Sequence, residues 1–144
     1  MKNKGMMLIE IIIAIALFSI VIFPLLGFNS QLLQINNKLL ISQKIYKNYK
    51  ALQKQLIAKD FSYLNDHIGH YKLTKNNYSF INDIVFPYGI DNFFINYDSV
   101  LEIEIIPFQI YSNLESYNYI LLKIMYINNN KSLISENFIS NVRS

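Results

Sequence analysis

The sequence predicts an α+β fold in which the second half of one long amino-terminal helix packs on a small antiparallel β-sheet. Three observations lead to this prediction. The run from Met6 to Phe28 is apolar with Glu10 as its one charged residue, residues 29–60 repeat apolar side chains at spacings of three and four, and from residue 78 the spacing changes to two. An amphipathic helix and a sheet with one apolar face bury each other, so we expect residues 61–144 to form a sheet domain on the helix of residues 29–60.

The composition fits one small domain with a membrane anchor. The chain has 144 residues, of which 52% are hydrophobic and 15% aromatic, and it has no Cys. Without cysteine there is no disulfide framework, thiolate nucleophile or thiolate metal site. The formal net charge of +3 is unevenly placed, because two lysines precede the apolar run, six lie between residues 38 and 59, and acidic residues outnumber basic ones from Phe61 onward.

The first expected element is a membrane-spanning helix over residues 6–28. A helix of about 23 residues is about 34 Å long, enough to cross a hydrocarbon core of about 30 Å. Glu10 is its one charged residue, and because a carboxylate inside a membrane span is costly, it is a candidate functional residue. Pro24 removes a backbone donor and Gly27 softens the same region, so we expect a kink or local melting there.

Residues 29–60 are expected to continue the helix, so that one long helix runs from Gly5 to about Asp60. Its apolar stripe would lie on the sheet with the lysines in water. A basic face that binds anionic lipid or nucleic acid is the alternative. The stripe consists of Leu32, Ile35, Leu39, Ile45, Tyr49, Leu52 and Leu56, and the lysines mostly off it are Lys38, Lys44, Lys47, Lys50 and Lys54.

The rest of the chain is expected to form a sheet of three to five antiparallel strands. Residues 61–77 are predicted to be a loop with short turns, Pro107 to end a strand, Asn128–Asn130 to form a turn, and residues 141–144 to fray. The predicted strands are residues 78–86, 93–97, 100–106, 117–127 and 132–139. Alternation turns Glu102, Glu104 and Lys123 outward and places inward Leu101, Ile103, Ile105, Ile120, Leu122, Ile124 and Tyr126.

No catalytic or metal-binding constellation is predicted. There is no glycine-rich phosphate loop, and His67 and His70 have neither a third histidine nor a cysteine to complete a metal site. Four acidic residues could suggest calcium, but their spacing fits no calcium loop: Asp91, Asp98, Glu102 and Glu104. We therefore predict a protein that is not an enzyme and needs no metal or cofactor.

The amino-terminal stretch resembles the start of the type IV pilin and pseudopilin family. A basic leader, Met1–Gly5, precedes Met6, and Glu10 is the fifth residue after Gly5 inside the apolar run. The resemblance implies cleavage between Gly5 and Met6 by a prepilin peptidase, methylation of the new Met6 amine, and pairing of Glu10 with the amino terminus of a neighbouring subunit. The family usually has phenylalanine and often threonine directly after the cut, where this chain has Met6 and Met7.

The resemblance also implies a function, a location and partners. The chain would be a structural minor pilin or pseudopilin subunit, held in the inner membrane with its amino terminus in the cytoplasm, and then extracted into a pilus, secretion or competence filament. Its partners would be other pilin subunits, the prepilin peptidase, the inner-membrane assembly platform and membrane lipid, while no motif supports DNA. The alternative is an uncleaved signal-anchored protein whose extracytoplasmic domain binds a ligand. A cleaved secretory signal fits poorly, because the apolar run is too long.

Overall fold

The computed structural model describes residues 3–95, 98–111, 116–128 and 131–141. The chain divides into two compact units, Met1–Ser42 and Gln43–Ser144. The elements are α1 (Asn3–Ile57), α2 (Phe61–Asp66), β1 (Gly69–Leu73), β2 (Val100–Tyr111), β3 (Ser116–Asn128) and β4 (Lys131–Ser140), with short 3₁₀ turns at Ser79–Ile81 and Ile90–Asn92. The predicted α+β class, a long amino-terminal helix packed on a small antiparallel sheet, is confirmed.

Helix α1 accounts for the described part of the first unit. It continues without a break through Pro24 and Gly27, so no melted turn interrupts it, and a bend at these residues stays a prediction. Within the described residues, Met7–Ile57 is the one helix long and apolar enough to span a membrane. This fits the predicted anchor by length and composition.

The sheet in the second unit has four antiparallel strands in the order β1-β2-β3-β4. Its pairing is continuous, with Ile105 opposite Leu122 and Ile120 opposite Ile139. The alternation predicted for β2 and β3 is confirmed, since Glu102, Glu104 and Lys123 lie on the face away from the core. The buried residues of these two strands are Leu101, Ile103, Ile105, Ile120, Leu122, Ile124 and Tyr126.

Only the last turns of α1 cover this face. Tyr49, Leu52 and Leu56 are buried in the core, Ile45 packs against it, and the Tyr49 hydroxyl donates a hydrogen bond of 3.0 Å to the carbonyl of Ile124. The predicted stripe is therefore right only from Ile45 onward. The earlier stripe residues remain exposed in the single chain: Leu32, Ile35 and Leu39.

The prediction of a loop over residues 61–77 is wrong. This segment contains α2, which buries Leu64, and strand β1, whose Tyr71 and Leu73 lie on the core side. Both elements are short, and β1 carries glycine, histidine and lysine within five residues. Their local sequence patterns are weak, and the two elements are stabilised instead by burial against the core and, for β1, by pairing with β2.

The strand predicted at residues 78–86 is also wrong. Tyr78, Ile81 and Ile84 recur every third residue and turn toward the core around a 3₁₀ turn. Such a spacing places them on one side of a 3₁₀ turn, whereas a strand would need a spacing of two. Tyr78, Ile81 and Ile84 therefore pack against the core from a turn and not from a strand.

The strand predicted at residues 93–97 is not formed in its described part, residues 93–95. Phe93 and Phe94 are both buried, which a strand with one buried face does not allow because successive side chains point to opposite faces. Asn96 and Tyr97 lie outside the described residues.

Pro107 does not end β2, which continues to Tyr111 with Pro107 opposite Ile120. The Asn141 N–H donates to the carbonyl of Asn118, so the backbone groups of even-numbered residues in β3 face β4 and those of odd-numbered residues face β2. The alternation of an antiparallel ladder then turns the backbone groups of odd-numbered residues in β2 away from β3. The Pro107 nitrogen therefore faces the open side beyond the end of β1, which pairs only with residues 101–105. A proline is tolerated on such a free edge because no ladder donor is lost.

The final hairpin is confirmed by the pairing of β3 with β4 from Tyr119–Ser140 to Asn128–Lys131. The residues of its predicted turn, Asn129 and Asn130, and residues 142–144 of the predicted tail lie outside the described part of the chain.

Candidate functional site

The amino-terminal apolar segment of α1 carries the candidate site predicted from sequence. Gly5 and Met6 lie within α1; for residues 3–6 the structure describes the backbone alone. Glu10 follows Met6 by about one helical turn, and its side chain is exposed. The exposed neighbours of Glu10 include Leu8, Ile9 and Ile11. A single carboxylate therefore sits on an otherwise apolar helix surface.

The exposed apolar surface of α1 is longer than a bilayer is thick. Large apolar side chains are exposed at intervals from Met7 to Ile41, which is about 50 Å of helix. A hydrocarbon core of about 30 Å covers roughly 20 of these residues. The excess falls after Phe28, and it includes Leu32, Leu33, Ile35, Leu39, Leu40 and Ile41.

The polar residues of the segment before Phe28 are few and partly satisfied within the helix. The Ser19 hydroxyl donates a hydrogen bond of 2.8 Å to the carbonyl of Ile15, as serines do inside helices that lie in apolar surroundings. After Phe28 the helix becomes mixed, with Asn29, Gln31 and Gln34 between the apolar side chains. This change of composition marks the end of the candidate membrane span.

In the second unit, two side chains of α1 and Lys59, two residues after its end, hold the segment between β1 and β2. The Asn48 amide accepts from the Tyr88 N–H at 3.0 Å and donates to the Gly89 carbonyl at 2.9 Å. The Gln55 amide makes the same two-way contact with the backbone of Val85, at 2.9 and 2.8 Å. Lys59 pairs with Asp83, and this contact raises the pKa of the lysine.

These side-chain contacts explain why the segment between β1 and β2 is not a strand. Backbone groups of Val85, Tyr88 and Gly89 are satisfied by the Asn48 and Gln55 side chains, and several others by turns, so these groups need no partner strand. Asn48 and Gln55 lie seven residues apart, two helical turns, and therefore share one face of α1. The prediction for this helix was made from the apolar stripe and did not assign this role to Asn48 and Gln55. Two amide side chains seven residues apart beside the stripe are a pattern from which the role could have been predicted.

Two buried tyrosines, Tyr126 and Tyr49, donate hydrogen bonds from their hydroxyls to backbone carbonyls in the core. The Tyr126 hydroxyl donates to the carbonyl of Phe93 at 2.7 Å, and its ring stacks on that of Phe93 with centroids 4.6 Å apart. Burial raises the pKa of Tyr126 and, independently, that of Tyr49 above 10.0. Both hydroxyls are therefore structural groups that stay protonated at neutral pH.

The two histidines do not meet at a metal site. His67 stacks on Tyr63 with ring centroids 4.2 Å apart, and its Nδ1 lies 2.7 Å from the Tyr63 carbonyl. His70 lies instead on the outer face of β1, with Nε2 3.9 Å from the Glu104 carboxylate. Within the described ranges no three His, Cys, Asp or Glu side chains come together as metal ligands.

The carboxylates considered for calcium are dispersed or paired with cations. Glu102 lies 3.6 Å from the Lys72 ammonium, and Glu104 lies 3.8 Å from that of Lys123. Asp91 and Asp98 are exposed in the segment before β2. The outer face of the sheet thus uses its acids in cross-strand ion pairs, each worth up to about 1 kcal/mol.

The clefts of the second unit are open surface depressions. One of them lies beside α2 and is lined by Asp60, Ser62, Asn65, Asp66 and Ser140, together with Phe61 and Asn141. It pairs no carboxylate with a nucleophile activated by a base, which general acid–base or covalent catalysis would require. No protein family model, curated protein or solved structure matches this chain.

Proposed function

We propose that this protein is a structural subunit of a pilus-like or secretion filament, processed by cleavage after Gly5 and assembled through α1. The observation that carries the proposal is the exposed apolar surface of α1, which extends from Met7 to Ile41 and exceeds the thickness of a bilayer. The start of the chain, with Gly5 before Met6 and Glu10 five residues after the glycine, supports it through its resemblance to prepilins.

The excess apolar surface favours a filament over a simple anchor. In an anchored single-span protein, the six apolar side chains between Leu32 and Ile41, which are exposed in the single chain, would face water. Burying a leucine or isoleucine stabilises a protein by about 1.5–3 kcal/mol. Packing among the same helices of neighbouring subunits would bury these side chains and the membrane-spanning part together.

Glu10 supplies the polar contact that such a helix bundle needs. A carboxylate surrounded by apolar helices is costly when alone, and an ammonium ion beside it removes much of that cost. Cleavage after Gly5 creates an ammonium on Met6, about one helical turn from Glu10. In the proposed assembly Glu10 of one subunit pairs with the Met6 amine of a neighbour, which also aligns the two helices.

The test is the mass of the chain purified from the membranes of cells that contain a prepilin peptidase. We expect loss of residues 1–5 and a Met6 amino terminus, with or without a methyl group. Gly5→Ala should abolish the cut and leave the full-length mass. Gly27→Ala is the matched control, because a methyl group at Gly27 meets nothing within 4 Å, and this variant should be cut normally.

The alternative of an uncleaved signal-anchored protein predicts a different result. The chain would keep Met1, and both glycine variants would have the unprocessed mass. That outcome would overturn the proposed function and leave a membrane-anchored helix-and-sheet protein.

A further inference from the structure

Strand β4 is an open edge of the sheet. It pairs with β3 on one side, and among the described residues its other side makes no backbone–backbone hydrogen bond. Because the Asn141 N–H faces β3, ladder alternation turns the backbone groups of even-numbered residues in β4 outward. The outward-facing backbone groups are those of Ser132, Ile134, Glu136, Phe138 and Ser140.

This edge has few of the features that usually protect an edge strand. Its charged residues are Lys131 at its first position and Glu136 in its middle; the strand contains no proline, and the register with β3 runs without a bulge. Short strands, lysines, prolines and bulges are the devices that prevent unwanted pairing. The outer side chains of Ile134 and Phe138 are 57% and 66% exposed, so β4 presents apolar side chains as well as free backbone groups.

The opposite edge of the sheet is protected by contrast. Strand β1 has five residues, and the chain turns back directly after it, with reciprocal hydrogen bonds of 3.0 and 3.1 Å between Thr74 and Asn77. The Tyr71 ring stacks on Phe80 in the returning segment, with centroids 3.8 Å apart. The contrast singles out β4 as the edge that can accept another strand.

A row of polar side chains crosses the outer face and ends at β4, and its last three members alternate in charge. Register places His70 opposite Glu104, Glu104 opposite Lys123, and Lys123 opposite Glu136. Opposite charges facing each other across strands are stabilising. The row ends on an acid, so the next strand would complete it with a basic side chain.

The rows beside the charged row are apolar on β4 and β3. On one side Phe138 continues Leu121 and Ile106, and on the other Ile134 continues Met125. The Phe138 ring also lies 6.2 Å from that of Phe108, so the apolar surface extends from β4 across the sheet. A strand added to β4 would therefore carry apolar side chains two residues before and after its basic one.

A second copy of β4 does not fit this requirement. An antiparallel pair of β4 strands that places Ile134 opposite Phe138 of the other copy also places Glu136 opposite Glu136. Shifting the pair by two residues places Glu136 opposite Ile134 or Phe138. Like charges directly opposite are destabilising, so charge complementarity favours a different strand.

We propose that β4 binds an extended segment of another protein by strand addition, with a lysine or arginine opposite Glu136 and apolar residues two positions to either side. Backbone hydrogen bonds would supply affinity, and the three side chains specificity, as in other strand-addition complexes. The Asn137 side-chain amide nitrogen is buried and lacks an acceptor among the described residues. A polar residue of the added strand beside Asn137 would supply that acceptor. The inference does not depend on cleavage after Gly5.

The test uses the full chain in detergent micelles and a blocked seven-residue peptide. Its second and sixth residues are isoleucine, its fourth is lysine, and the others are threonine, so it has the required pattern in either strand direction. A second peptide has glutamate in place of lysine. We expect the lysine peptide to bind roughly fivefold more tightly by fluorescence anisotropy, which corresponds to about 1 kcal/mol.

Nuclear magnetic resonance of the same samples locates the bound peptide. In the free chain, amide hydrogens should exchange quickly at Ile134, Glu136 and Phe138 and slowly at the odd-numbered residues that face β3. The lysine peptide should slow exchange at those three even-numbered residues.

Two variants and one control separate strand addition from non-specific attraction. Glu136→Lys should reverse the preference, so that the glutamate peptide binds roughly fivefold more tightly than the lysine peptide. Ser132→Pro removes an outward-facing N–H without breaking the ladder to β3, and it should weaken both peptides. Asp91→Lys makes the same change of charge on an exposed residue outside the sheet and should leave the preference unchanged.

Three results would overturn the proposal. They are the absence of binding at millimolar peptide, an unchanged preference in the Glu136→Lys chain, and slowed exchange at residues other than those of the β4 edge. Self-association through β4 in place of peptide binding would likewise show that the occupant is a second copy.

Discussion

Glu10 is the residue whose substitution most directly probes the proposed assembly. Glu10→Leu removes a charge from the apolar segment, so membrane insertion should be retained or improved. Incorporation into filaments should fall, because the Met6 amine of a neighbouring subunit loses its counter-ion. The measurement is the fraction of the chain recovered in sheared filaments against the fraction left in membranes.

Glu10→Asp is the control for this experiment, since it keeps the negative charge with a shorter side chain. It should retain more assembly than Glu10→Leu. Filament recovery that is unchanged in the leucine variant would show that the charge pair is not needed.

The hydroxyl of Tyr126 makes a buried hydrogen bond that stabilises the second unit. Tyr126→Phe removes the donor to the Phe93 carbonyl and leaves that acceptor unpaired, which should lower the free energy of unfolding by about 1–3 kcal/mol. Tyr111→Phe is the control, because this side chain is 78% exposed, and its effect should stay within about 0.5 kcal/mol. Urea titrations in detergent, followed by near-ultraviolet circular dichroism, compare the two variants.

The same tyrosines give a pH dependence with a defined sign. Burial raises the pKa of Tyr126 and Tyr49 above 10.0 in the folded chain, so the folded state holds these protons more tightly than the unfolded state. The contribution of these two protonated tyrosines to the free energy of unfolding is therefore fully present below about pH 10. It decreases as the pH rises beyond about 10, by at most about 1.4 kcal/mol per pH unit for each tyrosine. The slope should be smaller in Tyr126→Phe, and an unchanged slope would contradict the assignment.

At the scale of elements, α1 combines two environments along one apolar stripe. Leu52 is fully buried against the sheet, whereas Leu39 on the same stripe is 55% exposed. Leu52→Ala should therefore destabilise the second unit by about 2–5 kcal/mol. Leu39→Ala should leave its urea transition unchanged.

Filament recovery distinguishes the two parts of the stripe in the opposite sense. If Leu39 packs against neighbouring subunits as proposed, Leu39→Ala should reduce filament recovery although the chain itself is stable. Equal losses of stability in both variants would show that Leu39 packs within its own chain.

At the scale of the whole molecule, the charges around the apolar segment predict its orientation. Lys2 and Lys4 precede the segment, and the first positive charges usually keep the amino terminus in the cytoplasm. The second unit should then lie outside. The lysines between residues 38 and 59 oppose this orientation, so it needs a direct test.

The absence of cysteine makes that test simple. Ser62→Cys introduces one thiol at an exposed residue of α2, and a membrane-impermeant maleimide should label it in spheroplasts before the membrane is opened. A chain without cysteine, carried through the same procedure, is the blank. Labelling that appears only after permeabilisation would place the second unit in the cytoplasm.

The sequence by itself determined the elements whose patterns are long and regular. The apolar run of α1 and the alternation of β2 and β3 are such patterns, so the long helix and the buried faces of these two strands were predicted correctly. The presence of an apolar segment long enough to span a membrane, and the isolation of Glu10 within it, follow from the same regularity.

Only the tertiary structure decided the segment between residues 61 and 95 and the extent of the helix-on-sheet contact. Strand β1 forms because β2 offers it a partner, Phe93 and Phe94 are both buried because a turn can bury neighbours, and Asn48 and Gln55 replace a missing strand. Pro107 remains inside β2 because β1 ends before reaching it. For β1, for Asn48 and Gln55, and for Pro107, the deciding contact is to a residue far along the chain, and local periodicity carries no information about such contacts.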